Sequence, residues 1–170
     1  MKTLSFIFLL ISFNALVAQE IPNNIDLPKQ QEEQYAYDED LLPAEFFAKN
    51  RQALRKAMPD NSVAIFFANP VRNRSNDVDF EYHQDPNFYY LTGLREPHAV
   101  LIIFKEEQTF GNEITTDEII FLQKRDKSNE VWNGKRLGIK GAKEFLKMRT
   151  AYEGSDFSSF EAEFETFDHI

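Results

Sequence analysis

The pattern of apolar and polar positions divides this chain into one amphipathic stretch and several short apolar runs separated by turn residues. From Pro43 to Met58 apolar residues recur at helical spacing. Phe47, Leu54 and Met58 fall on one face, with Phe46, Ala53 and Ala57 beside them. Pro43 suits the first helical position and Glu45 the first turn, while Arg51, Arg55 and Lys56 lie toward the far end, where cations favour the helix dipole. Pro59-Asp60-Asn61 ends the pattern. Val63 to Ala68 is a short apolar run that predicts a buried strand, stopped by Asn69-Pro70. Val71 to Asp79 reads as a polar loop, and Val78, Phe80 and Tyr82 alternate with polar residues as a short extended strand.

The densest stretch runs from Asp77 to Phe104. Its aromatic run Phe88-Tyr89-Tyr90-Leu91 predicts a strand, Thr92-Gly93 a turn, and the six consecutive apolar residues Ala99 to Phe104 a fully buried strand bounded by Pro97 and Lys105-Glu106-Glu107. Downstream, Gln108 to Glu118 is polar and holds Gly111-Asn112, which suits a hairpin loop. Ile119 to Leu122 gives a further strand and Lys124 to Lys127 a charged loop. Val131-Trp132 opens a segment that runs through Gly134 and Gly138. Ile139 to Arg149 predicts a second helix, weakened by Gly141. In the acidic tail Phe157, Phe160, Phe164 and Phe167 recur at roughly helical spacing. Helices and strands interleave without an internal repeat, so the class is α/β or α+β with a mixed sheet.

Charge changes this picture at the two ends. The net charge is −9 over 170 residues, with seven acids against one lysine between Gln19 and Leu42 and six acids and no base from Ala151 onward. The middle is close to neutral, and no basic face marks a nucleic-acid partner. Residues 19–42, with Pro22, Pro28 and the Asp38-Glu39-Asp40 cluster, cannot bury enough apolar surface to fold alone and read as an acidic flexible linker. Residues 1–18 have a short basic start at Lys2, an apolar core from Leu4 to Val17 and a small residue, Ala18, at the cleavage edge. They read as a secretory signal peptide. The competing reading is a membrane anchor, and the apolar run is shorter than the roughly 20 residues a spanning helix needs. The expected location is therefore exported, periplasmic or secreted, with no stable membrane anchor. The chain has no cysteine, which removes disulfides, thiol nucleophiles and thiolate ligands.

Candidate chemistry is sparse. His83, His98 and His169 are not at metal-ligand spacing, no serine stands in a GxSxG turn, and the six glycines form no phosphate-binding loop. Neighbouring acids, Asp77 with Asp79 and Asp117 with Glu118, read as solvated loop carboxylates. Asn73-Arg74-Ser75 fits a glycosylation acceptor by chance. The denser cluster is Arg125, Asp126, Glu130, Trp132 and Arg136. It is either a charged loop anchored to the core by Trp132 or a rim facing a partner, since Trp and Arg are common interface anchors. On its own residues the chain shows a folded domain and no complete active site.

Two blocks carry a resemblance. One is Gln84-Asp85-Pro86-Asn87-Phe88-Tyr89-Tyr90-Leu91-Thr92-Gly93 with Glu96-Pro97; the other is Glu130 to Gly138, EVWNGKRLG. With the preceding RQALRKAM and VAIFFANP, they resemble the N-terminal domain of aminopeptidase P, the Xaa-Pro aminopeptidases, over roughly Pro43 to Phe160. The resemblance implies a mixed β-sheet flanked by helices, the creatinase-type, ribonuclease H-like fold, over residues 43–170. It implies a reaction, removal of an N-terminal residue that precedes proline, run by two metal ions, usually manganese, in a C-terminal pita-bread domain. That catalytic domain is expected to lie outside these 170 residues. No catalytic or metal residue is therefore carried over, and the chain alone is expected to bind no manganese and to be inactive.

What the resemblance does imply here is architecture. The domain covers one side of the active-site cleft and helps build a homo-oligomer. Tyr89 corresponds to a position where an aromatic approaches a neighbouring subunit's cleft, and Tyr89, Trp132 and Arg136 become the candidates for substrate or subunit contact. The expected partners are the catalytic domain, a second copy and a peptide substrate. His83 stands where family members often have arginine, which puts in doubt any contact that depended on that cation. A different reading keeps the fold without the chemistry, as a standalone exported binding or assembly module; a third is a related cleft enzyme of the prolidase or creatinase type, over which the FYYLTG and WNGKRLG blocks favour aminopeptidase P.

Overall fold

The structure, a computed structural model, describes residues 42–111 and 113–170. The expected signal peptide and almost all of the expected acidic linker lie outside the described residues. The element order is α1 (Ala44–Ala57), β1 (Val63–Phe67), β2 (Asn73–Ser75), β3 (Val78–Asp79), α2 (Pro86–Thr92), β4 (Val100–Phe110), β5 (Ile114–Leu122), α3 (Lys127–Asn133), α4 (Gly138–Phe145) and β6 (Thr150–Glu153), then two 3-10 turns, Gly154–Ser159 and Phe164–Thr166.

The two longest strands form the centre. The main sheet has the order β1-β4-β5-β6. β4 runs antiparallel to β1 and β5, while β5 and β6 are parallel, so the sheet is mixed. Leu101 to Phe104 and Ile119 to Leu122 are essentially inaccessible to water, as their unbroken apolar runs require when both faces are covered. Side chains alternate across a strand. Val63, Val100, Ile102, Phe104, Ile119 and Phe121 therefore form one buried face, and Phe157, Phe160, Phe164 and Phe167 pack against it. α1 and α4 pack on the sheet, and α1 packs on α2. β2 and β3 pair as a separate small hairpin.

Several expectations are corrected. The aromatic run Phe88 to Leu91 is helical, not a strand. Asp85 caps α2 by accepting from the Phe88 amide at 2.9 Å, Pro86 occupies the first turn, and Gly93 closes the C-terminus in the left-handed region. These caps outweigh the β-propensity of the tyrosines. The polar loop expected over Gln108 to Glu118 is mostly strand, because β4 continues to Phe110 and β5 begins at Ile114. The second helix stops at Phe145, and β6 follows where no strand was expected. Gly141 is buried in α4, where a Cβ would stand 2.7 Å from Leu137, so it is a packing requirement. The tail forms 3-10 turns, and its phenylalanines are spaced to reach the sheet.

Arg51 is the largest departure. It lies 1 % exposed on the buried face of α1 rather than serving the helix dipole. Its Nε and Nη2 donate to Glu118 at 2.9 and 3.2 Å, Nη1 to the Leu91 carbonyl at 3.0 Å, and Nη2 also to the Lys147 carbonyl at 3.4 Å. Arg55 bonds Glu118 at 3.2 Å and Asp117 at 3.0 Å, and Arg149 reaches Asp117 at 2.9 Å. Asp117 and Glu118 are thus strand residues held by guanidinium groups, not solvated loop acids.

Two outcomes follow. Glu118→Ala strands Arg51 inside the fold, and urea unfolding should show a loss of about 3–5 kcal/mol. Gly93 has φ +71°, and a Cβ there would stand 2.5 Å from the Phe47 ring. Gly93→Ala should cost about 2–4 kcal/mol in the same measurement, strain and overpacking adding together.

Candidate functional site

Polar side chains gather at the corner where the chain leaves β5. The Gln123 side-chain amide donates to the Pro97 carbonyl at 3.1 Å and accepts from Arg136 Nε at 2.9 Å. Asp126 caps α3, accepting from the Ser128 amide at 3.0 Å and from Asn129 Nδ2 at 2.9 Å. Hydrogen bonds from Ser128, its hydroxyl first, hold the Asp126 carboxyl below the usual range. Arg125 grips Glu130 with a two-pronged contact, 3.1 Å on each side, and this bond lowers the Glu130 pKa. The Arg136 amide joins Glu130 at 3.3 Å. Gly138, at φ +65°, lets the Arg125 stem pass, since a Cβ would stand 2.8 Å from it. Leu137 is buried, and its amide donates to Glu96 at 2.6 Å.

α3 is therefore pinned at both ends, yet it buries no residue. Val131 is 78 % and Trp132 86 % exposed. Trp132 does not anchor the segment to the core; the Arg125–Glu130 and Arg136–Gln123 bonds do that. Beside α3 opens a cleft of about 450 Å³, lined among others by His98, Lys124, Glu130, Asn133, Arg136 and Glu153. The lining mixes both signs of charge and contains hydrogen-bonding groups.

The structure brings Trp132 and Arg136 to this corner and places Tyr89 elsewhere, on α2. Tyr89 is half-buried, edge-on to Phe47 at 5.7 Å and under the Arg95 guanidinium at 5.8 Å. Among the described residues no hydrogen bond or ring contact joins Tyr89 to Trp132 or Arg136. Sequence reasoning missed Gln84. Its amide donates to the Leu94 and Glu96 carbonyls, each at 3.0 Å, and its oxygen accepts from the Asn69 and Asp85 amides at 3.0 and 2.9 Å. A polar residue just before the Asp85-Pro86 cap was the available signal. Tyr82 lies alongside, its hydroxyl 3.2 Å from the Asn69 carbonyl and 3.3 Å from that of Glu96.

Metal chemistry finds no donor set in these elements. Among the described residues no group of three or more His, Asp or Glu side chains could hold an ion. The clustered acids Asp117 and Glu118 are taken by arginines, and Asp79 accepts from Asn73 at 3.2 Å. No helix among the described residues is long and apolar enough to cross a membrane.

Residues 47–166 match the family profile described as "Aminopeptidase P, N-terminal domain". The chain is 37 % identical over 118 residues to the Xaa-Pro aminopeptidase of Haemophilus influenzae, covering 69 % of this chain and 26 % of that protein. It is also 37 % identical over 112 residues to that of Escherichia coli, covering 66 % and 24 %. The fold superposes on an Escherichia coli aminopeptidase P variant in complex with substrate at a TM-score of 0.61 and 34 % identity, over 69 % of this chain and 26 % of that one. It superposes on the Pseudomonas aeruginosa aminopeptidase PepP at 0.60 and 32 %, over 70 % and 26 %. A zinc-substituted Escherichia coli enzyme in complex with product is similar too, at 0.59 and 33 % over 69 % and 26 %. The chain thus spans about a quarter of the length of the curated relatives it matches. The expected mixed sheet with helices is the fold these structures share.

Tyr82 offers a pH test. Burial, then the Asp85 and Glu96 charges, pushes its pKa up from 10.0 to about 12. The folded chain holds this proton more tightly than the unfolded one. The contribution is whole below pH 10 and lost as pH rises from 10 through about 12. Allowing for solvent screening, the loss should be about 1–2 kcal/mol. Urea midpoints across this range should fall less steeply for Tyr82→Phe than for the parent.

Proposed function

As this chain belongs to the aminopeptidase P family through its N-terminal domain, we propose that it serves as the cleft-shaping and assembly domain of an exported Xaa-Pro aminopeptidase. The reaction is removal of an N-terminal residue before proline, with two manganese ions held by a separate catalytic domain. The residues described here supply no donor set for those ions, so no chemical step is assigned to them. Their work is to wall one side of the cleft and to meet a second copy. Residues 1–18 direct export to the periplasm or medium, and the peptide substrate binds where this domain and the catalytic domain meet.

The observation that carries this reading is α3. A short helix clamped by Arg125–Glu130 and Arg136–Gln123, with Val131 and Trp132 turned outward, is built to present an aromatic to something outside the domain. Trp132 and Arg136 are accordingly the contact residues of this corner, and Tyr89 with Arg95 forms a second aromatic contact on α2.

A chimera tests the proposal. Residues 43–170 replace the corresponding part of the Escherichia coli enzyme, and cleavage of an Xaa-Pro peptide is measured. The chimera should retain cleavage, and Trp132→Ala within it should lower kcat/KM by about tenfold with circular dichroism unchanged. The 170-residue chain alone with manganese should give no turnover. Enzyme-like turnover by that chain would overturn the proposal, and so would a folded, metal-loaded chimera that cannot cleave.

A further inference from the structure

Asn133-Gly134 is the one asparagine–glycine step in the sequence. It sits at the end of α3, and Asn133 lines the cleft. We propose that Asn133 is a site of spontaneous deamidation, which turns this exposed corner more acidic as the protein ages. The inference concerns this chain's own chemistry and does not rest on the function proposed above.

Deamidation requires the backbone nitrogen of the following residue to reach the asparagine side-chain carbon. Folded proteins usually block this in three ways: the side chain is hydrogen-bonded, the attacking amide is tied into a helix, or the next side chain crowds the approach. All three blocks are lifted at this step. Asn133 is exposed, and its side chain has no hydrogen bond among the described residues. The caps of α1, α2 and α4 donate back into their helices at 3.0, 2.8 and 3.2 Å, whereas no hydrogen bond of normal length and angle closes at the Gly134 amide. Gly134 has no side chain, and an added Cβ would meet nothing nearer than 4.0 Å.

Asn50, Asn61, Asn69 and Asn129 are protected by contrast. Asn61 Nδ2 donates to the Thr166 carbonyl and to Asp168 at 3.0 and 3.1 Å. Asn50 donates to the Tyr90 carbonyl at 2.8 Å and Asn129 to Asp126 at 2.9 Å. Asn69 donates to the His83 carbonyl at 2.9 Å and precedes Pro70, which has no N–H to attack with.

The step balances without an oxidant or cofactor. The Gly134 nitrogen bonds to Asn133 Cγ and gives up its proton, while the Cγ–NH2 bond breaks and ammonia leaves, forming a five-membered imide. Water then opens the imide at either carbonyl, giving aspartate or isoaspartate. Either product places a carboxylate beside Glu130 and within the cleft that Lys124 and Arg136 share. The isoaspartate product also inserts a methylene into the main chain between Trp132 and Arg136, which re-aims the exposed indole.

The test incubates the full chain at mildly alkaline pH, folded and in guanidinium, and follows each asparagine by peptide mass mapping. Asn133 should convert first among the asparagines of residues 42–170, at a rate within about tenfold of that in denaturant, because no opening of the fold is needed. The product should be a mixture of aspartate and isoaspartate, separable by fragmentation, and Asn133→Gln should abolish the change in that peptide. Protection of the folded chain beyond about tenfold would overturn the proposal. So would another asparagine in this region reacting first, or aspartate formed without isoaspartate.

Discussion

A guanidinium enclosed by apolar strands and helices must be fully paired or the fold fails, and Arg51 meets that condition with three elements at once. Glu118 on β5 supplies the countercharge, the end of α2 supplies the Leu91 carbonyl, and the loop after α4 supplies the Lys147 carbonyl. A buried ion pair adds little net stability over an apolar pair of the same shape, but it is directional. It therefore fixes where α1 lies against β5 more sharply than Leu54 or Met58 could. Arg55 and Arg149 extend the pairing to the surface through Asp117.

This arrangement explains which parts of the fold were legible in the sequence. The runs Val63 to Ala68 and Ala99 to Phe104 are legible as strands from their length and apolar character, and α1 follows from its periodicity; but only the second run is buried throughout, since β1 lies at the sheet edge with Val63 buried and Phe67 58 % exposed. Arg51 was misplaced because a helical wheel assigns arginine outward, and its partner lies 67 positions away in sequence. The helix α2 was missed for a different reason. Its aromatics favour a strand, and the decision rests on single residues at its ends, Asp85, Pro86 and Gly93. β6 has four residues, too few for alternation to register.

The corner at α3 was partly legible. The sequence places Arg125, Asp126, Glu130, Trp132 and Arg136 in one cluster, and the structure joins Arg125, Glu130 and Arg136 into a clamp, uses Asp126 as the cap of α3 and turns Trp132 outward. What sequence order could not convey is that the tryptophan faces out. A lone indole among charges is normally buried; here the Asp126 cap and the Arg125–Glu130 and Arg136–Gln123 bonds hold the helix, with Gly138 leaving room for the Arg125 stem. Two further residues that hold the corner come from elsewhere, Glu96 from the loop between α2 and β4 and Gln123 from just past β5, so the spacing within α3 does not announce them.

The C-terminal phenylalanines have a consequence for how the molecule is made. Phe157, Phe160, Phe164 and Phe167 cover a sheet face whose strands were all translated earlier, and Val63 bonds the His169 carbonyl at 3.1 Å across more than one hundred positions of chain. On the ribosome, that face stays bare until these rings have left the exit tunnel. Apolar surface left uncovered in this way is what makes incompletely folded chains prone to aggregate. Closing this face therefore depends on four aromatic residues that emerge after every strand they cover.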